Sequence, residues 1–244
     1  AILEGFYQSE LASLNDNLTT YSSIDKQFIP ELNQLKALVK DETALINNLN
    51  QVTEIFTSFN EAAASVFQNR KLSIEQKMAL REKARDLEDK SDDTVTLLLD
   101  LADHRLADTT LQRAISLSEQ LENQLNSLVT SSLEYSDTPS SSTAELIESE
   151  ISFSLQGAQA SVNEIIAELT MNDIESIASE LSESFADIEA LLSSDQGIMF
   201  YKRSQLSANQ QAINMLEAVK KYTAKANEIL EKQVELANQA TLAS

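Results

Sequence analysis

Residues 31–67 read ELNQLKALVKDETALINNLNQVTEIFTSFNEAAASVF. Leu32, Leu35, Leu38, Val39, Leu45, Ile46, Leu49, Val52, Ile55, Phe56 and Phe59 recur at steps of three and four residues. That is the period at which an α-helix returns side chains to one face. Asn47, Asn48 and Gln51 fill the opposite face. Val66 and Phe67 continue the stripe, which predicts a helix over 31–68, about 57 Å long at the usual rise per residue. A helix of that length with one apolar stripe is stable only against other helices. The stretch therefore decides the class, which is all-α.

The same period extends outward in both directions. Leu11, Leu14, Leu18, Tyr21 and Ile24 form a stripe before Pro30, whose missing backbone donor predicts a kink or short break between the two. Ser73-Ile74-Glu75-Gln76 is a capping-box pattern and predicts a helix start. Periodic apolar residues then run from Met78 to Leu128. Ser136 to Thr143 is rich in turn formers and predicts a loop. Ser142 with Glu145, Asn172 with Glu175, and Ser193-Ser194-Asp195 predict three further starts, the last helix running from Ile198 to Leu242.

The expected architecture is thus about six helices in an elongated antiparallel helical bundle, as two stacked four-helix bundles sharing long helices. Residues 1–244 would form a single domain of two bundle modules, with a boundary near Pro30 and Asn172. The first and last helices should lie side by side. The chain opens on Ala1-Ile2-Leu3-Glu4 with no capping residue and stays periodic to Leu242, the pattern expected of a piece cut from a longer helical protein.

Composition agrees and narrows the function. Three glycines and two prolines stand in 244 residues, where average usage gives about seventeen and twelve, so turns are few and elements long. With no cysteine, disulfides and thiol chemistry are excluded. The sole histidine, His104, cannot build the paired Glu-x-x-His sites of metal-binding bundles. No phosphate-cradling glycine loop, nucleophile elbow or zinc spacing occurs. No catalytic residue, metal or cofactor is expected, and the chain does not read as an enzyme. No apolar run approaches the roughly eighteen residues that span a bilayer.

The net charge of −21 repels nucleic acid and anionic lipid surfaces. The charge is also uneven. Sixteen acids lie from Glu119 to Asp195, and no Lys or Arg occurs between Ala114 and Tyr201. Two readings follow: a solvated acidic face with ordinary helix pairs, or a surface shaped for a partner. Two sets of basic residues are candidates for binding. Arg105 and Arg113 are two helical turns apart and share a face, where guanidinium groups would suit a carboxylate. Tyr201-Lys202-Arg203 places an aromatic beside two cations, a combination common at protein interfaces. For both sets the plainer reading is helix surface or bundle tip.

An all-helical, cysteine-free chain of this length resembles the helical bimodular sensor domains, which lie between the two membrane spans of bacterial chemoreceptors and sensor histidine kinases. Ser23-Ile-Asp-Lys-Gln-Phe-Ile-Pro30 with Glu31-Leu32-Asn33-Gln34-Leu35 looks like that family's N-terminal helix passage. Asp195-Gln-Gly-Ile-Met-Phe-Tyr-Lys-Arg-Ser-Gln-Leu206 looks like its final helix. The resemblance is greatest to the trimethylamine N-oxide kinase branch. It implies a periplasmic domain of an inner-membrane protein, a homodimer in the full-length receptor, and a periplasmic binding protein or a small molecule as ligand. Members that bind organic acids directly carry arginines on the first helix, and this chain has none before Arg70. A chemoreceptor domain for a small organic acid, and a secreted scaffold or toxin-like helical protein, are the alternative readings.

Overall fold

The structure is a computed structural model. It describes the backbone of residues 2–41, 43–105 and 111–242, and their side chains except at 2–7, 24–25, 102–105 and 236–242. Among the described residues there are six helices and no strand: α1 (Ile2–Leu38), α2 (Thr43–Arg105), α3 (Gln112–Asp137), α4 (Ser141–Met171), α5 (Glu175–Ser193) and α6 (Ile198–Leu242). The number matches the sequence reading, but several boundaries do not. α1 runs through Pro30 without a break. Losing one backbone hydrogen bond at the solvent-exposed Pro30 is offset by packing on α2, where Phe28 stacks on Phe56 with ring centroids 3.9 Å apart. The helix expected over 31–68 is instead interrupted at Val39–Asp41.

Ser73 does not open a helix. It lies buried in the middle of α2, and its hydroxyl donates to Asn209 Oδ1 on α6 at 2.8 Å. α4 begins two residues earlier than its capping pattern suggested, because Ser140 Oγ accepts the Thr143 amide. Asn172 closes α4 instead of opening α5: its amide bonds the Leu169 carbonyl, and its side chain bonds that of Glu168. The turn into α5 needs a left-handed residue, Asp173 at φ 57°, a conformation Asp tolerates better than most.

The chain divides into two compact units. The first comprises Ala1–Ile74 with Ser207–Ser244, the second Glu75–Leu206. These divisions fall inside α2 and α6. Pro30 lies within the first unit and Asn172 within the second.

The second unit is a four-helix bundle. α3 packs on α4 and α4 on α5. α5 meets α2 through Thr94–Ser184 (2.6 Å) and Lys90–Asp187 (2.8 Å), and α2 meets the end of α3 through Arg81–Asp137. Partner numbers rise on one helix as they fall on the other, so neighbours are antiparallel. Leu80, Leu87, Leu121, Leu125, Leu128, Ile151, Ile165, Leu169, Leu181 and Ile188 are completely buried in one core. Each such side chain contributes about 1.5–3 kcal/mol by leaving water. Buried serines are interspersed with them. Ser118, Ser136 and Ser161 bond the carbonyl four residues back on their own helix.

Gly197, in the turn between α5 and α6, is required by close approach. A Cβ there would come within 2.9 Å of the Leu192 carbonyl group.

The first unit has three helical segments, not four, because unbroken α1 supplies a single one. α1 lies antiparallel to the start of α2, joined by Lys36–Thr53 (2.7 Å) and the aromatic group of Tyr21, Phe59 and Phe67. Its buried apolar residues, among those described, are Leu32, Ile55, Ala62, Ala63, Ile74, Ala208 and Ala212.

Candidate functional site

The basic residues singled out by sequence fall into separate places. The Arg105 side chain, like that of His104, lies outside the described residues. Arg113 opens α3, is two-thirds exposed, and pairs with Glu164 (3.0 Å) and Glu168 (3.5 Å) on α4. Tyr201, Lys202 and Arg203 lie in the second turn of α6, beside the opposite end of α3. About 35 Å of helix separates Arg113 from Ser136. The structure does not bring the two groups together.

Around Lys202 the geometry is that of an internal brace. Its side chain is 1 % exposed, and Nζ donates to the carbonyls of Ser136 (3.0 Å) and Thr138 (2.6 Å). These carbonyls end α3, where unpaired acceptors and the helix dipole favour a cation. Burial pulls the Lys202 ammonium down to a pKa of about 8, helped by Lys77 and opposed by Asp137. Arg203 grips Glu148 on α4, and Tyr135 donates to the same carboxylate at 2.6 Å. The Arg203 hydrogen bond, with help from Tyr135, holds the Glu148 carboxyl below its ordinary range, against the effect of burial. Burial and the Glu148 hydrogen bond raise the Tyr135 phenol well above its own. Tyr201 is half-buried and meets the exposed Phe200 edge-on at 5.6 Å. Lys202 and Arg203 are therefore committed to tying α6 to α3 and α4.

Two hollows escaped the sequence reading. In the second unit, a groove of about 490 Å³ between α2 and α5 is lined by Asp86, Asp89, Asp93 and Asp187 against Lys83 and Lys90. The signal was present as Asp86, Asp89 and Asp93 at helical spacing. In the first unit, a hollow of about 440 Å³ is lined by Phe28, Leu32, Leu49, Val52, Phe56 and Leu230, among others, and by no charged residue. Sequence reading took most of these residues as core stripe, and nothing local tells a filled stripe from an open one. Among the described residues no cluster of His, Asp or Glu could hold a metal ion, and no helix is long and apolar enough to cross a membrane.

The chain matches no family model, no curated protein and no solved structure.

Proposed function

We propose that this chain is the extracytoplasmic signal-input domain of a two-component histidine kinase. In this reading it detects a ligand-loaded periplasmic binding protein and passes a helix rearrangement across the membrane. One observation supports the reading above others. The second unit holds 26 acids against nine basic residues, a net −17, and at least six of the nine are spent within it: Arg81, Lys83, Lys90, Arg113, Lys202 and Arg203. A field of that sign steers a basic protein surface and repels small anions. The groove of Asp86, Asp89, Asp93 and Asp187 lies within that field and is the expected docking point. α2 and α6 contribute residues to both units, so a shift or rotation of either in one unit is carried covalently into the other.

The test is a titration of the chain with periplasmic binding proteins, in the presence and absence of their ligands. Binding should weaken at least about tenfold when salt rises from about 0.05 to 0.5 M, because screening shortens the field. The double charge reversal Asp89→Lys/Asp93→Lys should weaken it comparably. Calorimetry with dicarboxylates or trimethylamine N-oxide alone should show no tight binding. Micromolar binding of any of them, lost in Arg113→Ala, would replace this reading with a direct chemoreceptor pocket.

A further inference from the structure

The uncharged hollow of the first unit is walled by three helices. α1 contributes Phe28 and Leu32, α2 contributes Ile55, Phe56 and Phe59, and α6 contributes Tyr222. Buried Leu32 and Ile55 form its floor. The volume, about 440 Å³, is typical of small-molecule sites. Its rings share an orientation. Phe28 stacks on Phe56 at 3.9 Å with 29° between the planes, and Phe59 follows at 6.4 Å with 12°. Together they present a surface on which a further flat ring can stack with an offset.

Charge sets the class of occupant. Among the described residues no Asp, Glu, Lys or Arg lines the hollow. Glu54 and Lys225, on the same helices, line a separate space of about 190 Å³ that shares only Ile55 and Tyr222 with it. A carboxylate or ammonium in the apolar hollow would leave water without a partner, a cost that its contacts cannot offset. Water itself finds few partners there, so an apolar molecule displaces it readily. Two polar side chains of α6 reach the wall. Thr223 spends its hydroxyl proton on the Val219 carbonyl at 2.9 Å, while Asn227 has no partner among the described residues. The Asn227 amide can therefore meet one hydrogen-bonding group.

Length favours a compact molecule over a helix. Along α2 the hollow runs only from Leu49 to Phe59, about 15 Å. Beyond Phe59 the Tyr21 ring packs against Phe59 and Phe67, at 6.3 and 5.8 Å. A partner helix would need a trough along the whole unit. We propose that this hollow binds an uncharged aromatic compound of two or three rings with one hydrogen-bonding group. The inference does not depend on the signalling reading, which places its partner at the second unit.

The probe is N-phenyl-1-naphthylamine, an uncharged three-ring amine whose fluorescence rises in apolar surroundings. Titrated into the full 244-residue chain, it should bind with a Kd of about 100 µM or tighter. The same framework carrying a sulfonate, 8-anilinonaphthalene-1-sulfonate, should bind at least about thirtyfold more weakly. Both titrations are made in about 0.5 M salt, so that the overall negative field of the chain does not decide the result. Ala226→Phe places a ring in the hollow and should abolish binding, with helicity and thermal midpoint retained. Leu35→Trp closes the same hollow from a side chain 46 % exposed, where folding is not at risk, and should weaken binding at least about tenfold. Phe153→Ala removes a ring 80 % exposed in the second unit and should leave binding unchanged. No binding below about 1 mM, equal affinity for the sulfonate, loss of binding in Phe153→Ala, or full binding by Leu35→Trp would each overturn the proposal. An affinity that falls as the chain is concentrated would also overturn it, because a second copy would then be covering the hollow.

Discussion

The two units use the same helices to different ends. In Glu75–Leu206, four antiparallel segments close a ring around leucines and isoleucines with no exposure at all. In Ala1–Ile74 with Ser207–Ser244, three segments leave the hollow beside Phe28 and Phe56 open, and none of the described large apolar side chains is less than 6 % exposed. Charge divides the other way. The well-packed unit carries −17 and the open one only −4. A complete core lets a bundle tolerate self-repulsion, and an incomplete one is compatible with association only where net charge is low. The difference teaches that burial and charge were apportioned together.

The strongest way to break this comparison is one substitution made in both units. Phe185→Ala, from a side chain 2 % exposed, should cost about 3–5 kcal/mol in urea unfolding. Phe56→Ala, from a half-buried ring beside an existing hollow, should cost about half as much or less. Equal costs would show that the first unit is as tightly packed as the second. Next in size is Gly197→Ala. Its new methyl meets backbone and not a flexible side chain, so about 1–3 kcal/mol should be lost, read from the thermal midpoint.

A smaller effect sharpens the electrostatic side. Lys202 binds its proton less tightly in the folded chain, at about pH 8, than at its ordinary 10.5. Between those values the unfolded chain holds the additional proton, so stability should rise with pH, by at most about 1.4 kcal/mol per pH unit. Above pH 10 the raised Tyr135 phenol opposes this, since the unfolded chain then loses its phenolic proton first. The clean window is pH 8 to 10, and Lys202→Met should flatten the slope of the urea midpoint there. The least effect belongs to Arg113→Ala. Its guanidinium is two-thirds exposed, and removing its pairs with Glu164 and Glu168 should change the midpoint by less than about 1 kcal/mol.

Class and helix number were legible because scarce turn formers and a three-to-four period are local signals. Helix ends were less so. Val39–Asp41 breaks the chain with neither glycine nor proline, while Pro30 and the Ser73 box lie within continuous helix. Partners distant in sequence decided both: Phe28 on Phe56, and Ser73 on Asn209. Of the candidate site, Lys202 and Arg203 were visible as cations, but their acceptors lie more than fifty residues away in sequence, at Ser136, Thr138 and Glu148. Sequence spacing within α6 cannot reveal that these charges are already engaged.

The buried serines of the second unit bear on how its helices can move. Ser118, Ser136 and Ser161 satisfy their hydroxyls within their own helix, so no bond from these groups ties one helix to the next. Small side chains also leave shallow ridges for a neighbour to cross. A slide of α3 along α4 by a fraction of a turn would break none of these hydroxyl bonds, and the resistance would come from leucine knobs and from the Glu148 and Arg113 pairs at either end. The interior acts as a bearing, with its latches placed where α3 and α4 begin and end.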